Sequence, residues 1–377
     1  MKIAIVCYPT YGGSGVVATE LGISLSKKGH EIHFVTYKQP VRLEALNQNL
    51  FYHEVYVPDY PLFQYQPYEL ALSSRLVQVV NDYNIDVLHV HYAIPHAYAA
   101  YMTKKMLADD GIHLPIITTL HGTDITLVGR HPFYKKAVTF SINHSDYVTA
   151  VSESLRKDTL RLFKVKKDIH VIPNFIDVKK FEGKELPCKR SLLAEKEEEK
   201  IITHISNFRP LKRVLDVINT FEKIIEKVPA KLMMVGDGPD KAMAQRYCEK
   251  HHLESKVVFL GKSDEIEKVL CYSDLFLLPS EQESFGLAAL EAMLHQVPVI
   301  STNVGGLPEV NIQNYSGILC PVGAVDTMAE EAIRILSDTK LHLKFKHQAY
   351  LQANKFDISK VIPQYEVLYQ NVLKPQL

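Results

Sequence analysis

The chain carries no excess of charge. Its 43 Lys and Arg residues balance 43 Asp and Glu, for a formal net charge of zero at pH 7. That balance gives no support to a nucleic-acid or polyanion partner. Short basic runs such as Lys164-Val-Lys-Lys167 read as solvated surface. Cysteine is scarce as well. The five residues Cys7, Cys188, Cys248, Cys271 and Cys320 are odd in number, scattered and never spaced C-x-x-C. This speaks against a disulfide framework or a zinc knuckle and suits a reducing compartment. No apolar run approaches the ~18–20 residues that span a bilayer. The N-terminus opens on a strand-like run, Lys2–Cys7, without the pattern of a signal peptide. A soluble, cytoplasmic chain with neither membrane nor nucleic-acid partner is therefore expected, and a homo-oligomer is left open. Internal repeats and low-complexity tracts are lacking too.

What is present is an alternation. At 377 residues the chain exceeds one usual domain. Ile3–Cys7 is followed by a glycine-rich loop and a helix with Val17, Leu21 and Leu25 on one face, stopped by Gly29. The runs Glu31–Thr36, Ile85–His91, Ile116–Leu120 and Tyr147–Val151 then read as short buried strands. Strands separated by helical segments imply parallel sheets covered on both faces. The pattern runs to about Pro173, and the Lys- and Glu-rich stretch Lys179–Lys200 reads as a connection plus a surface helix.

The alternation restarts with strands at Ile201–Ser206, Leu232–Val235, Val257–Leu260, Leu275–Leu278, Val299–Ser301 and Ile318–Cys320. Helical segments near Val214–Lys227, Lys241–His251, Glu265–Tyr272, Leu287–His295 and Thr327–Leu336 separate them. The expected fold class is α/β, with two doubly wound Rossmann-like domains in tandem over 1–173 and 174–357. Ligands of such sheets sit at the carboxyl ends of the strands, so a cleft between the domains is the expected site. A last segment, Ile358–Leu373, has Val361, Tyr365, Leu368 and Val372 at helical spacing. It is expected to pack, as part of 358–377, back on the first domain.

Candidate chemistry lies at the predicted strand ends. In Tyr8-Pro-Thr-Tyr-Gly-Gly-Ser-Gly15 the glycines admit a ligand to the backbone, and a helix N-terminus favours an anion. A dinucleotide reading fails because the spacing is not G-x-G-x-x-G and no acid ends the second strand. Gly13, Ser14 and Gly15 instead suit a carboxylate or hydroxyl of an acceptor, with a plain tight turn as the alternative. His121, in His121-Gly-Thr-Asp124, either bonds a sugar hydroxyl or is structural. His89 and His91 share one face of a strand, but no further ligand completes a metal site. Tyr92 is placed near the same end.

In the second half, Asn207-Phe-Arg-Pro-Leu-Lys-Arg213 follows a strand, where Arg209, Lys212 and Arg213 can clamp a diphosphate whose charge grows as a glycosidic bond breaks. Gly236-Asp-Gly-Pro239 is a weaker nucleotide-binding turn. Glu283-Ser-Phe-Gly-Leu-Ala-Ala-Leu-Glu291 sets two carboxylates around a helix start. Gly286 puts Glu283 in the loop, able to meet a sugar, with Glu291 able to reach ribose hydroxyls. A hydrolase with paired carboxylates is the competing reading of that pair. The residues by themselves reach a transferase that uses a nucleotide sugar.

Taken together, these motifs resemble the retaining glycosyltransferases of the two-domain GT-B architecture, over essentially the whole chain. Glu283 and Glu291 match the paired-glutamate motif and Lys212 the usual lysine, while Asn207 stands where most members carry arginine. With His91-Tyr-Ala-Ile-Pro-His96 and Leu120-His-Gly-Thr-Asp-Ile-Thr126, the resemblance points to members that move N-acetylglucosamine from UDP-GlcNAc to the 2-hydroxyl of L-malate, the first step of bacillithiol synthesis. It implies that Ser14, Gly15, Tyr92, Thr119 and Arg209 hold malate or bridge it to the donor phosphates. His121 and Glu283 would contact the sugar, Arg209 and Lys212 the diphosphate, and Glu291 the ribose. Backbone N–H groups of Ser284, Phe285, Gly286 and Leu287 would face the β-phosphate. Retention without a protein nucleophile, and no cofactor or metal, are also implied. A lipid or polysaccharide acceptor, a non-catalytic sugar-nucleotide binder and an oxidoreductase are the rival readings. The Val41–Leu70 region, with tyrosines and Phe63 but few cations, weakens the first of them.

Overall fold

The computed structural model describes residues 1–10, 13–41, 43, 48–59, 61–180, 190, 193–194, 196, 198–263 and 265–374. The surface helix expected within Lys179–Lys200 falls mostly outside them. The chain divides into two compact units, Met1–Asp177 together with Ile358–Leu377, and Val178–Asp357. Pro173 thus lies on the first unit's side of the division.

The first unit is built on β1 (Lys2–Val6), α1 (Gly13–Lys27), β2 (Glu31–Thr36), β3 (Leu50–Glu54), α2 (Tyr68–Tyr83), β4 (Val87–His91) and α3 (Tyr98–Asp109). It continues through β5 (Ile116–Leu120), α4 (Pro132–His144), β6 (Tyr147–Ala150), α5 (Glu153–Leu162) and β7 (Ile169–Val171). Its sheet has 7 strands among the described residues, in the order β3-β2-β1-β4-β5-β6-β7, and every pairing is parallel. The central strands are buried on both faces, which is why they read as unbroken apolar or β-branched runs. Order reverses between β1 and β4, so the ligand-binding edge of this topology is the loops after those two strands. Gly29, at φ +89°, ends α1 in a conformation that costs a residue with a Cβ. Ser152 caps α5 by accepting from the Leu155 amide at 3.0 Å.

The second unit repeats the plan with β8 (Lys200–Ile205), α6 (Val214–Ile225), β9 (Ala230–Val235), α7 (Lys241–Lys250), β10 (Val257–Gly261), α8 (Ile266–Leu270) and β11 (Leu275–Leu278). Then follow α9 (Leu287–Leu294), β12 (Val299–Thr302), α10 (Leu307–Val310), β13 (Gly317–Cys320), α11 (Val325–Ser337) and α12 (Thr339–Ala353). Its 6 described strands run β10-β9-β8-β11-β12-β13, again all parallel, and reverse between β8 and β11. Val217, Ile218, Phe221 and Ile224 of α6 join Met328, Ala332 and Ile335 of α11 over this sheet. Full burial of each large side chain contributes about 1.5–3 kcal/mol.

The last helix, α13 (Ile358–Leu373), belongs to the first unit. Val361, Tyr365 and Leu368 are buried as their spacing suggested, Val372 is half-buried, and Ile362 and Tyr369 are buried as well. Glu366 pairs with Lys28 Nζ at 2.5 Å and with His30 Nε2 at 3.3 Å. No described helix is long and apolar enough to cross a membrane. One expectation fails at Cys271. It is disulfide-bonded, whereas Cys7, Cys248 and Cys320 are free and buried.

Candidate active site

In the first unit, β1 leads through Tyr8 into α1, whose first residues are Gly13, Ser14 and Gly15; Tyr11 and Gly12 lie outside the described residues. A Cβ on Gly15 would sit 2.4 Å from the Tyr8 carbonyl oxygen and 2.5 Å from that of Thr10, so only glycine lets the helix start this close to the strand end. The first N–H groups of a helix have no intrahelical partner and favour an anion. Ser14 Oγ and the Tyr92 hydroxyl are 2.6 Å apart, which joins the loops after β1 and β4, the two strands flanking the reversal. Tyr92 follows β4 at φ +85°, a strained value for a tyrosine, and is held by its amide donating to the Thr119 carbonyl at 2.9 Å. Its ring packs on Tyr8 and His121, with centroids 5.2 and 5.1 Å apart.

His121 follows β5 and is buried beside His91, with His91 Nδ1 and His121 Nε2 2.8 Å apart. Burial pushes the His121 pKa down to about 3, with nearby His96 adding to the fall, so the ring is neutral at pH 7. Asp124, a residue with no role assigned from its motif, organises this corner. One oxygen accepts from the Ala93 amide at 2.8 Å, and the other from the amides of Gly122 at 2.9 Å and His121 at 3.2 Å. Burial raises its pKa to about 6 despite those donors.

Thr119 is not brought to the edge. Its buried hydroxyl lies 2.8 Å from His89 Nε2 and 2.7 Å from Thr149 Oγ1, inside the sheet. The other His89 nitrogen is 2.7 Å from the Tyr369 hydroxyl of α13. His89 and His91 are thus committed to neighbours within the fold. Among the described residues no group of three or more His, Cys, Asp or Glu side chains is arranged to hold a metal ion.

In the second unit, β8 runs through Ser206 and exposed Asn207 into a turn at Phe208, buried at φ +37°. Arg209 is exposed, and Pro210–Lys212 form a 3₁₀ turn before α6. Gly236 and Gly238 pack under this turn. A Cβ on either would fall about 2 Å from a backbone oxygen, at 1.8 Å from Ser206 and 2.0 Å from Asn207 respectively. Arg213 turns away from Lys212 and pairs with Asp216 Oδ2 at 2.7 Å. Lys212 Nζ meets Glu283 Oε1, which also accepts from Ser280 Oγ at 3.2 Å. The Glu281 amide donates to the Leu211 carbonyl at 2.8 Å, tying the loop after β11 to the turn after β8.

Glu283 lies in that loop, and α9 starts at Leu287 after Gly286 at φ +102°. Ser284 and Glu291 are half-buried, and Phe285 is buried against Phe356. The loop rests on Gly305 and Gly306, whose Cβ atoms would fall 1.8 Å from the Glu283 oxygen and 2.4 Å from the Ser284 oxygen. The Gly306 amide donates to the Glu283 carbonyl at 3.0 Å. This double-glycine support after β12 was missed in the sequence. Its signal was present, since Val304-Gly-Gly-Leu307 also follows a strand end.

Residues 189–352 match the family described as "Glycosyl transferases group 1", and residues 11–180 match "Glycosyltransferase Family 4". The chain is 47% identical over 375 residues to N-acetyl-alpha-D-glucosaminyl L-malate synthase of Bacillus anthracis, covering 99% of this chain and 98% of that protein. An uncharacterized glycosyltransferase of Methanocaldococcus jannaschii is 28% identical over 90% of both chains. Among solved structures, Anabaena HepE in complex with UDP-glucose superposes with a TM-score of 0.81 at 19% identity, covering 98% of this chain and all of that one (100%). Sucrose-phosphate synthase from Thermosynechococcus elongatus gives 0.80 at 18% identity, covering 98% of each chain.

Proposed function

Because the chain belongs to the GT-B glycosyltransferase family that includes N-acetyl-α-D-glucosaminyl L-malate synthase, and is thus an enzyme of hexosyl transfer, we propose that it moves N-acetylglucosamine from UDP-GlcNAc to the 2-hydroxyl of L-malate. The observation that carries this reading is 47% identity sustained over 99% of the chain with the Bacillus anthracis protein of that name. The reaction is the first step of bacillithiol synthesis and runs in the cytoplasm.

In this reading Lys212 and Arg209 oppose the charge that grows on the leaving diphosphate. Glu283 and His121 hold the sugar, and Glu291 holds the ribose. The amides at Ser284–Leu287 face the β-phosphate, where a helix N-terminus favours an anion. Gly13, Ser14, Gly15 and Tyr92 receive malate, and Asn207 and Arg209 bind the donor; the carbonyl of the inward-turned Thr119 holds the Tyr92 amide. The malate hydroxyl attacks the anomeric carbon from the face that UDP leaves. The bond from that carbon to the β-phosphate oxygen breaks, a bond to the malate oxygen forms, and a β-phosphate oxygen takes the hydroxyl proton. The α configuration is retained, and no metal is needed.

The test is UDP release from UDP-GlcNAc with and without L-malate, with the anomeric proton coupling of the product read by NMR. Malate-dependent release, an α product and indifference to EDTA are expected. Release that ignores malate would overturn the acceptor, and a β product would overturn retention.

A further inference from the structure

The histidine pair after β4 and β5 has an asymmetry that decides where a proton sits. His91 Nδ1 faces His121 Nε2 at 2.8 Å, and both rings are buried. A pair of neutral imidazoles shares one hydrogen in such a bond, so two arrangements exist. If His121 donates from Nε2, the remaining hydrogen of His91 must be on its Nε2. That atom is buried without any hydrogen-bond partner. A sealed N–H with no acceptor forfeits its full solvation, and orphaned donors are rarer in folded proteins than under-used acceptors. If His91 donates from Nδ1, its Nε2 keeps only a lone pair, and the single hydrogen of His121 goes to Nδ1.

We propose that His91 is a positioning residue that fixes the hydrogen of His121 on Nδ1, so that His121 meets its ligand as a neutral N–H donor. The backbone supports this placement. His96 Nδ1 donates to the His91 carbonyl at 2.6 Å, and the His121 amide donates to Asp124. His89 stacks on His91, with ring centroids 4.6 Å apart. Burial holds both rings of the pair neutral. His121 keeps 8% of its surface exposed, and its inner nitrogen is the one occupied by His91. A donor on the remaining nitrogen selects a ligand oxygen with a free lone pair, such as a sugar hydroxyl.

The role of this donor rests on the proposed sugar transfer, but the tautomer does not. Nitrogen-15 NMR of the histidine-labelled protein at pH 7.5, assigned with His121→Asn, reads it directly. A protonated Nδ1 and unprotonated Nε2 on His121 are expected, and the reverse would overturn the proposal whether or not GlcNAc is transferred. His91→Leu removes the donor, and the Nδ1–H signature of His121 should then be lost. KM for UDP-GlcNAc should rise about tenfold, the size of one hydrogen bond, with little change in kcat. His91→Asn, whose amide restores a donor near the same place, should recover most of the loss. If His91→Leu fails to fold, the wild-type spectrum and His91→Asn still decide the matter. An unchanged His121 signature in folded His91→Leu would sink it.

Discussion

Lys212 and Glu283 form an ion pair across 71 residues of sequence, joining the turn after β8 to the loop before α9. Both side chains are largely shielded, at 15% and 14% exposure. Neither group alone accounts for the other's position. Lys212 is carried by a 3₁₀ turn wedged on Gly236 and Gly238, and Glu283 by a loop backed on Gly305 and Gly306. In the proposed transfer Lys212 opposes the developing phosphate charge, which a cation does best when fixed before the reaction begins, and the Glu283 carboxylate fixes it.

Lys212→Ala should lower kcat by about a hundredfold, the usual scale for losing one electrostatic contact to a developing charge. It also leaves a shielded carboxylate without its cation, so Tm should fall. Lys212→Ala/Glu283→Gln removes both charges and should regain part of that Tm without regaining activity. Thermal scans beside UDP-release rates check both points. A double variant no more stable than Lys212→Ala would show that the carboxylate left without its cation carries no penalty.

Gly305→Ala places a methyl group where the Glu283 carbonyl oxygen stands, at a residue with φ +56°. Backbone on both sides leaves little room to yield, so loss of transfer and a clear fall in Tm are expected. Gly29→Ala is the control. Its φ is +89°, but a Cβ there meets nothing within 4 Å, so only the left-handed backbone cost of about 1 kcal/mol applies. Comparable losses of activity in the two variants would refute the support role of Gly305.

These contacts mark how far the sequence was legible. The strands beside both reversals were readable, because β1, β4, β5, β8 and β11 are short buried runs followed within three residues by Tyr8, Tyr92, His121, Asn207 and Glu281. Strands β3 and β7 were not read. They lie at the first sheet's edges, and Leu50–Glu54 mixes aromatic and polar residues on a half-covered surface. Helix α12 escaped because His342, Gln352 and two alanines share its inner face with Phe345, which leaves little apolar periodicity. Expected Ile85–His91 begins at Val87 instead, since the Asp86 carboxylate turns to accept the Lys2 amide at 2.7 Å. At the site, strand-end position revealed His121, Lys212 and Glu283 as candidates, while pairing could not be seen. Arg213 looked equivalent to Lys212 in the string, yet Asp216, one helical turn on, holds it. Thr119 was a candidate through the family resemblance, yet period-two alternation turns it toward His89.

Tyr92→Phe keeps the ring against Tyr8 and His121 and removes the hydroxyl that faces Ser14 at 2.6 Å. If this corner receives malate, KM for malate should rise about tenfold while KM for UDP-GlcNAc stays within about twofold, on the scale of one hydrogen bond. Initial rates with each substrate varied in turn separate the two constants. A rise confined to the sugar nucleotide would move Tyr92 to the donor side.

Acid should unfold this protein early. Burial lowers the pKa of His89 to about 3, of His96 to about 4 and of His121 to about 3, drops His91 well below its ordinary value, and in the second unit lowers His204 to about 4. The unfolded chain takes up protons on these groups near pH 6.5, whereas the folded chain resists until far lower pH. Their contribution is therefore present above about pH 6.5 and is lost as pH falls toward about 4, each group contributing up to about 1.4 kcal/mol per pH unit. Asp124, raised to about 6 by burial, works in the opposite sense, since the folded state keeps its proton longer. One opposing carboxyl does not offset five histidines. Tm should drop steeply between pH 7 and 5. His96→Asn, which keeps a donor for the His91 carbonyl but cannot titrate, should flatten that slope while lowering Tm at pH 7.5 through lost packing. A Tm that held level down to pH 5 would mean that these rings gain protons without unfolding the sheet around them.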